Sequence, residues 1–348
     1  MRSIRTELHF KNPFRIDNNT SCKFRLGPIR YTFGLNTIAR IDYKKYIIDM
    51  DLKIKNKGRE INCTVLNNVN SSKTLIIAPA IGVSRHFYRE IASHFFSLSY
   101  SVVLFDYYAM IDHKDIDKRC KLKISDWGRK DLNGVIGYAQ KEFPESDLYF
   151  LGHSIAGQIF PFAEKSCEIK AAYLIASQNV SNKNWSGIFK LKVMMFWHVL
   201  IPFFTTLMGY LPSSVYGGKY DLHKSIAKNW AELGKSTLGM LGTEEDGYTR
   251  YKNMNLPVKF LSFSDDQMLA PKKSVEHLYE SYGSPFKLHE HINPKEIGVD
   301  SIGHFKFFKP KYMHLWSKID AWFHLTERSN EKAKERCFSN LDFLVTPL

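Results

Sequence analysis

The feature that most constrains the fold of this 348-residue chain is the alternation of short apolar segments with longer segments of helical periodicity. Residues 74–78 (TLIIA) and 101–105 (SVVLF) are almost wholly apolar, which is typical of strands buried on both faces of a parallel sheet. The predicted strands are 47–54, 61–66, 74–78, 101–105, 147–151, 169–176, 257–263 and 286–291, and the predicted helices are 87–98, 125–143, 155–165, 271–282 and 311–325. This alternation predicts an α/β fold with a mostly parallel central sheet and helices on both faces.

The alternation is interrupted once, after the sixth predicted strand, by residues 180–255. This insertion is helical in pattern and rich in Trp, Phe, Met and Tyr, so we interpret it as a helical cap over the site. Within it, residues 193–211 carry no formal charge and meet the length rule for a membrane-spanning helix. We predict an N-terminal extension (1–45), an α/β core (46–179 and 256–326), the cap (180–255) and a C-terminal tail (327–348).

A candidate nucleophile, Ser154, lies between a predicted strand and a predicted helix. It is part of GHSIAG (152–157), which matches Gly-x-Ser-x-Gly except that Ala156 replaces the last glycine and Gly157 follows. Such a turn needs small residues, because it is tight and places the serine above the sheet at the N-terminus of the next helix. The alternative is an ordinary helix N-cap serine, so the interpretation depends on partners elsewhere in the chain.

An activated serine needs a histidine base and an acidic residue, in the chain order Ser, Asp/Glu, His. Asp265 and Asp266 follow the predicted strand 257–263, and His304 lies in a loop before the last predicted helix. Both positions lie beyond strand ends, where the sites of α/β proteins are built. We predict Ser154, His304 and Asp266 as the catalytic residues, with Asp265 as the alternative acid. The remaining histidines are assigned no role.

An acyl-transfer site also needs backbone donors for the oxyanion. One predicted donor is the amide of Ile155, directly after the serine, and the other is the amide of Ile81, in the loop after the third predicted strand. Gly82 would allow a close approach of the substrate there.

Seven segments that carry or surround these residues resemble the α/β-hydrolase superfamily. They are PAIGVSRHFYREIA, VVLFDY, DWGRKDL, YFLGHSIAGQ, GYLPSS, FSDDQ and IGHFKFF, and they lie within residues 45–326. The chain is most similar to a bacterial group of predicted α/β hydrolases related to serine aminopeptidases and monoacylglycerol lipase-like enzymes. The resemblance implies the α/β-hydrolase fold, with Ser154, Asp266 and His304 as a triad. It also places the uncharged segment inside a cap rather than a bilayer.

The chain departs from the superfamily pattern in two loops. Residues 106–109 read Asp-Tyr-Tyr-Ala where Asp-x-Arg-Gly is common, so we expect a reshaped loop after the fourth strand. Pro79 and Ala80 stand where His-Gly commonly precedes the oxyanion donor. Neither departure removes a predicted triad residue.

These features predict a serine hydrolase that cleaves an ester or thioester of a small-molecule, apolar acyl substrate through an acyl-enzyme, with no metal or organic cofactor. Trp185, Phe189, Trp197 and Phe203 are candidates for an apolar substrate pocket, although they fit packing of the cap onto the core equally well. A non-catalytic binding protein of the same fold and a peptidase of the same fold are the alternatives.

Charge and cysteine content bear on partners and location. The net charge of +14 favours acidic partners, but without a nucleic-acid-binding motif or a long basic run we expect no nucleic acid and favour a peripheral membrane contact. The five cysteines are odd in number and include no Cys-x-x-Cys, which argues against a disulfide framework or metal site. The first residues lack the apolar segment of a secretory signal, so we expect a cytoplasmic protein, at or near the membrane surface. The oligomeric state stays open.

Overall fold

The computed structural model describes residues 49–110 and 121–328. The predicted extension (1–45) and residues 329–348 of the predicted tail lie outside this range. The strands are β1 (Asp49–Asn56), β2 (Arg59–Leu66), β3 (Lys73–Ala78), β4 (Ser101–Phe105), β5 (Asp147–His153), β6 (Ile169–Ile175), β7 (Tyr210–Leu211), β8 (Leu222–His223), β9 (Val258–Phe263) and β10 (Lys287–Ile292). β7 and β8 pair with each other, and the other eight strands form one sheet.

The large sheet is mostly parallel, as the sequence predicts. Its strand order is β1-β2-β4-β3-β5-β6-β9-β10. β1 and β2 form an antiparallel hairpin, β2 is antiparallel to β4, and the neighbours from β4 to β10 are parallel. Every residue of β4 and nearly every residue of β3 is buried, so both faces of the sheet centre are covered. This explains the continuous apolar runs in the sequence.

Helices connect the parallel strands and fill the insertion between β6 and β9. The core helices are α1 (Arg89–Ser97), α2 (Asn133–Glu142, preceded by a π-helical turn at Trp127–Leu132), α3 (Ile155–Ile159), α10 (Lys272–Ser281) and α11 (317–328). The insertion holds α4 (Gly187–Met195), α5 (Ile201–Leu207), α6 (Ser213–Tyr216), α7 (Lys224–Lys235), α8 (Met240–Thr243) and α9 (Gly247–Lys252). A π-helical turn, Phe196–Leu200, joins α4 to α5. A helical insertion after the sixth strand is therefore confirmed.

Two predicted helices differ from those observed. The helix predicted at 155–165 ends as α3 at Ile159, and a 3₁₀ turn follows at Phe160–Phe162, because Pro161 has no amide hydrogen to continue the helical pattern. The helix predicted at 311–325 begins as a 3₁₀ segment, Pro310–Leu315, and becomes α11 only at residue 317.

The folded core continues beyond the boundary predicted at residue 326. Glu327, on α11, pairs with Lys73 at the start of β3 (2.8 Å) and accepts a hydrogen bond from the Tyr149 hydroxyl of β5. Residues 327 and 328 therefore belong to the core and not to a separate tail.

A buried ion pair fixes the loop after β3, which leads to the candidate site. Asp106 directly follows β4 and is 3% exposed. It accepts a hydrogen bond from the Arg85 amide (2.7 Å) and a second one from the Arg85 guanidinium. The guanidinium also donates to Thr64 on β2 (2.9 Å). This loop is therefore held on two neighbouring strands, and the aspartate in the atypical 106–109 segment is its anchor.

Removal of the Arg85 side chain is expected to destabilise the protein strongly. Arg85→Ala leaves the Asp106 carboxylate buried and without its cation, which typically costs about 3–5 kcal/mol. The measurement is the free energy of unfolding from urea denaturation. The matched control is Lys53→Ala, because Lys53 pairs with Glu60 (2.9 Å) on the surface, where such pairs contribute roughly 1 kcal/mol or less. Equal losses in the two variants would contradict the anchoring role.

Candidate active site

Ser154 occupies a sharp turn between β5 and α3. Its backbone has φ +57° and ψ −114°, outside the regions that a residue with a side chain normally adopts. Such a conformation costs on the order of 1–3 kcal/mol and persists only where the surrounding structure holds it. The Ser154 amide donates a hydrogen bond to the Ile175 carbonyl (2.9 Å), so the turn is fixed to the end of β6. Ser154 therefore stands at the carboxyl end of the sheet.

The close approach of α3 to the segment after β6 explains the glycine pattern of this turn. A Cβ atom added to Gly157 would lie 2.6 Å from the Cβ of Ser177, so no larger residue fits there without a backbone shift. Ala156 is fully buried with its methyl group in place. Glycine is thus required at 157, one position beyond the usual pattern, and alanine is accommodated at 156.

The structure brings Asp266 to the imidazole of His304. The Oδ2 atom of Asp266 lies 2.6 Å from Nδ1 of His304, and both residues are buried. The other carboxylate oxygen accepts hydrogen bonds from the amides of Ala270 (3.2 Å) and Leu269 (3.3 Å), which fixes its orientation. Since the carboxylate accepts, Nδ1 carries the proton, and Nε2 of the neutral ring is left to accept one.

Asp265, the alternative acid, has a different position. Its carboxylate accepts hydrogen bonds from the backbone amides of Ile302 (2.8 Å) and Gly303 (3.0 Å). These are the two residues that precede His304. Asp265 therefore holds the histidine loop, and Asp266 contacts the histidine ring.

A buried chain of hydrogen bonds runs from Ala80 through Tyr88 and His153 to His304. Nε2 of His153 lies 2.9 Å from the His304 carbonyl oxygen, which can only accept, so Nε2 carries the proton. Nδ1 of His153 therefore accepts from the Tyr88 hydroxyl (2.7 Å), and the hydroxyl accepts from the Ala80 amide (2.9 Å). Burial, and then the proximity of His304, lower the pKa of His153 well below its usual value, so the ring is neutral at pH 7.

His153 is the residue that the sequence analysis missed. Its only signal in the sequence is its position next to Ser154, because Tyr88 and His304 lie 65 and 151 residues away. It ties the serine turn to the histidine loop, and the rings of His153 and His304 are 4.8 Å apart. Within residues 49–110 and 121–328, the Ser154 hydroxyl forms no hydrogen bond with His304, and in free enzymes such bonds are often long until substrate binds.

The two predicted oxyanion donors follow neighbouring strands. Ala78 at the end of β3 pairs with Gly152 in β5, and Ile81 and Ile155 each lie three residues further along the chain. In the part of the chain that the structure describes, neither amide donates to another protein group. Both are therefore available to a substrate oxygen, and Ile155 is the first residue of α3.

A largely apolar cavity of about 440 Å³ lies between the insertion and the loop that carries Asp266. Its lining includes Val180, Trp185, Val193, Trp197, Trp230 and Met268. Trp185 is fixed by a hydrogen bond from its indole nitrogen to the Met268 carbonyl (2.9 Å). Two of the four predicted pocket residues, Trp185 and Trp197, therefore line this cavity.

The other two predicted pocket residues lie outside this cavity. Neither Phe189 nor Phe203 is among the described residues that line the cavity. Phe189 packs against the core from a partly buried position, and Phe203 is 56% exposed. Phe203 lies on the outer side of α5, opposite to the buried Ile201 and Thr205, and composition alone could not indicate this side.

A second cavity, of about 500 Å³, lies against the loop of Ile81 and includes Gly82, Phe87, Gly218 and Phe305 in its lining. Tyr216 stands between the two cavities, since it lines the first and directly precedes residues 217–219 of the second. The Lys219 amide donates to the Gly82 carbonyl (2.7 Å), so this part of the insertion rests on the candidate oxyanion loop. Gly82 has φ +73°, and a Cβ there would lie 2.3 Å from the Tyr216 hydroxyl.

Comparison with known proteins identifies the fold. No protein-family model matches the chain, and no curated protein matches its sequence. The structure is similar to the esterase Pf2001 of Pyrococcus furiosus, with a TM-score of 0.54 at 15% identity over 87% of this chain and 98% of that one. An esterase of Exiguobacterium antarcticum gives 0.52 at 12% identity (78% and 98%), and DcsB, solved with its substrate analogue, gives 0.57 at 12% identity (80% and 99%). The chain therefore has the α/β-hydrolase fold that the sequence predicts.

Proposed function

We propose that this protein is a serine hydrolase that cleaves esters or thioesters of apolar acyl groups. The observation that carries the proposal is the strained backbone of Ser154 at the β5–α3 turn together with the buried pair of His304 and Asp266. The residue before the serine, His153, is hydrogen-bonded to the His304 carbonyl, which connects the turn to this pair. Strain of this kind persists where function requires it and the surrounding packing maintains it. The esterase activity of two fold neighbours supports the same reaction class.

In the proposed reaction, His304 Nε2 removes the hydroxyl proton of Ser154 as the serine oxygen attacks the carbonyl carbon. Asp266 keeps the other proton on Nδ1 and stabilises the imidazolium ion. The imidazolium then gives its proton to the leaving alcohol or thiol, and the acyl group remains on Ser154. His304 next deprotonates a water molecule as its oxygen attacks the acyl carbon. The bond between this carbon and the Ser154 oxygen then breaks, the imidazolium returns its proton to the serine, and the carboxylic acid leaves.

The negative charge that develops on the substrate oxygen needs donors fixed in advance. The amides of Ile81 and Ile155 meet this need, because neither has a partner among the described protein groups. An oxyanion donor of this type contributes on the order of 3 kcal/mol to the stability of the transition state. The ion pair of Arg85 and Asp106 supports the Ile81 amide indirectly, since it fixes the loop that carries it.

The acyl group is assigned to the apolar cavity beside Asp266. Its volume of about 440 Å³ and its largely apolar lining suit a hydrocarbon chain, and Lys192 is the one charged side chain that lines it among the described residues. The leaving group is assigned to the second cavity, beyond Tyr216. A peptidase would use the same triad, so the rates of ester and amide cleavage separate these two activities.

Ser154→Ala is expected to abolish covalent labelling by a fluorophosphonate probe and to remove ester hydrolysis, because the probe reacts only with an activated serine. Labelling is measured by in-gel fluorescence, and hydrolysis with matched ester and amide substrates. The control is Ser181→Ala, because the Ser181 hydroxyl is also buried but has no hydrogen-bond partner among the described residues.

Failure of the folded wild-type protein to react with the probe would favour a non-catalytic binding protein instead. Amide cleavage as fast as ester cleavage would favour the peptidase. Labelling that persists in Ser154→Ala would place the nucleophile elsewhere.

His153 is expected to act as a positioning residue for His304. His153→Leu removes the hydrogen bond to the His304 carbonyl, and the resulting misplacement of the imidazole is expected to lower kcat roughly ten- to a hundredfold with little change in KM. His153→Gln keeps one donor and one acceptor, so partial recovery of kcat is expected. His314→Leu, at an exposed histidine, is the control. Equal loss of kcat in the Leu and Gln variants would leave His153 with a packing role only.

The lowered pKa of His153 predicts that the stability of the protein depends on pH. The folded-state pKa of His153 lies below that of the unfolded chain, about 6.5, so the unfolded state binds more protons as the pH falls below that value. Stability is therefore expected to fall by up to about 1.4 kcal/mol per pH unit from this residue alone. The difference in unfolding free energy between wild type and His153→Gln, measured from pH 8 to pH 5, isolates the contribution. A difference that does not change with pH would contradict it.

A further inference from the structure

The continuous helix Gly187–Leu207, which consists of α4, the π-helical turn and α5, exposes an unusual amount of apolar surface. Eight of the seventeen large apolar side chains that are exposed in the described part of the chain belong to residues 188–208. They are Ile188, Leu191, Met194, Met195, Val199, Phe203, Leu207 and Met208. Isolated exposed apolar side chains are common, but a contiguous patch of this size marks an interaction surface.

The patch is continuous along the helix and lies opposite to its buried side. Val193, Trp197, Ile201 and Thr205 repeat every four residues and are buried. The exposed stripe, which we define as Leu191, Met195, Val199, Phe203 and Leu207, has the same spacing and is displaced by two residues. Because two residues correspond to about 200° of helical rotation, the two stripes face opposite directions. We call the exposed stripe the outer stripe.

The charged residues in the chain segment that carries the outer stripe are all positive. No Asp or Glu occurs between Glu168 and Asp221, whereas exposed Lys183, Lys190 and Lys192 lie at the N-terminal end of the helix. Lysine side chains can extend their ammonium groups away from an apolar contact toward a charged surface. An apolar stripe with lysines at one end is complementary to a lipid surface with anionic headgroups.

We propose that the outer stripe docks on an anionic lipid bilayer, with the helix lying along the membrane surface. Gly187–Leu207 is long and apolar enough to cross a bilayer, and only 17% of its most apolar window is buried. Its inner side, however, contacts the rest of the insertion: the rings of Trp197 and Trp230 of α7 lie 5.1 Å apart. A transmembrane orientation would remove this packing, whereas an interfacial one preserves it.

Docking in this orientation would place the acyl cavity next to the lipid. Lys192, Val193, Phe196 and Leu200 of this helix line that cavity, and Met195 both lines it and is 49% exposed. The cavity and the docking surface are therefore formed by the same helix, and Met195 belongs to both. The docking itself does not depend on the proposed hydrolase activity, but the delivery of an acyl substrate from the bilayer does.

The proposal is tested by flotation of the full chain with vesicles of phosphatidylcholine and phosphatidylglycerol, and with vesicles of phosphatidylcholine alone. Wild type is expected to float with the anionic vesicles, and less so at high salt. Phe203→Glu/Leu207→Glu is expected to lower the partition coefficient at least about tenfold, because the burial of one large apolar side chain already corresponds to roughly this factor. The control is Val69→Glu/Leu288→Glu, which makes the same charge change at exposed apolar positions elsewhere.

Retention of vesicle binding by Phe203→Glu/Leu207→Glu would overturn the proposal. The proposal would also be overturned if the wild-type protein did not bind vesicles but formed a dimer, and if Phe203→Glu/Leu207→Glu were monomeric. The outer stripe would then bind a second copy of the chain. Should the double variant not fold, Leu207→Asn, at the 72%-exposed position, provides the same comparison with a smaller change. Ser154→Ala is expected to float like wild type, so failure of the catalytic proposal is distinguishable from failure of docking.

Discussion

The hydrogen-bonded chain through His153 is the interaction on which the candidate site depends. Its members come from the segment between β3 and β4, the last residue of β5 and the loop that follows β10. These three regions carry, in the same order, the proposed backbone donor, the serine and the imidazole of the candidate site. Because the chain is buried and its proton positions are determined by an acceptor-only carbonyl, it fixes the three loops in one arrangement. Without it, sheet topology would bring the loops to the same edge but would not set their spacing.

The anchors of these loops reinforce that arrangement from outside. Arg85 and Asp106 hold the loop after β3 on the neighbouring strands, and Asp265 holds the two amides before His304. Both anchors use carboxylates that accept backbone N–H groups, an interaction that is strong when partly buried. Asp106, which the 106–109 segment shares with the usual pattern, therefore has a structural role. The adjacent residues Asp265 and Asp266 divide the tasks of holding the histidine loop and contacting the ring.

The sequence was sufficient for the sheet and for the insertion after β6, because both depend on local pattern. Chain order was sufficient to nominate Ser154, Asp266 and His304, and the structure brings the last two into contact. Apolar runs indicate strands buried on both faces, and parallel strands bring their carboxyl ends to one edge. It was insufficient for His153, whose partners are distant in the chain, and for Phe203. A helix that is apolar on two sides has no periodicity that separates its inner side from its outer side. The predicted end of α3 at residue 165 is wrong because Pro161 ends the helical hydrogen-bond pattern.

The π-helical turn Phe196–Leu200 has a consequence for the shape of the insertion. In a purely α-helical segment, side chains spaced four residues apart rotate around the helix axis by about 40° at each step. This amounts to about 120° between Val193 and Thr205. A wider turn in the middle absorbs much of this drift, and the burial of all four inner residues shows that the phase is restored. The π-helical turn reduces the rotation of the outer stripe in the same way, so the outer stripe runs more nearly straight along the helix. A helix that would otherwise present a spiralling apolar surface thus presents a flat one, which a planar partner can contact along its whole length.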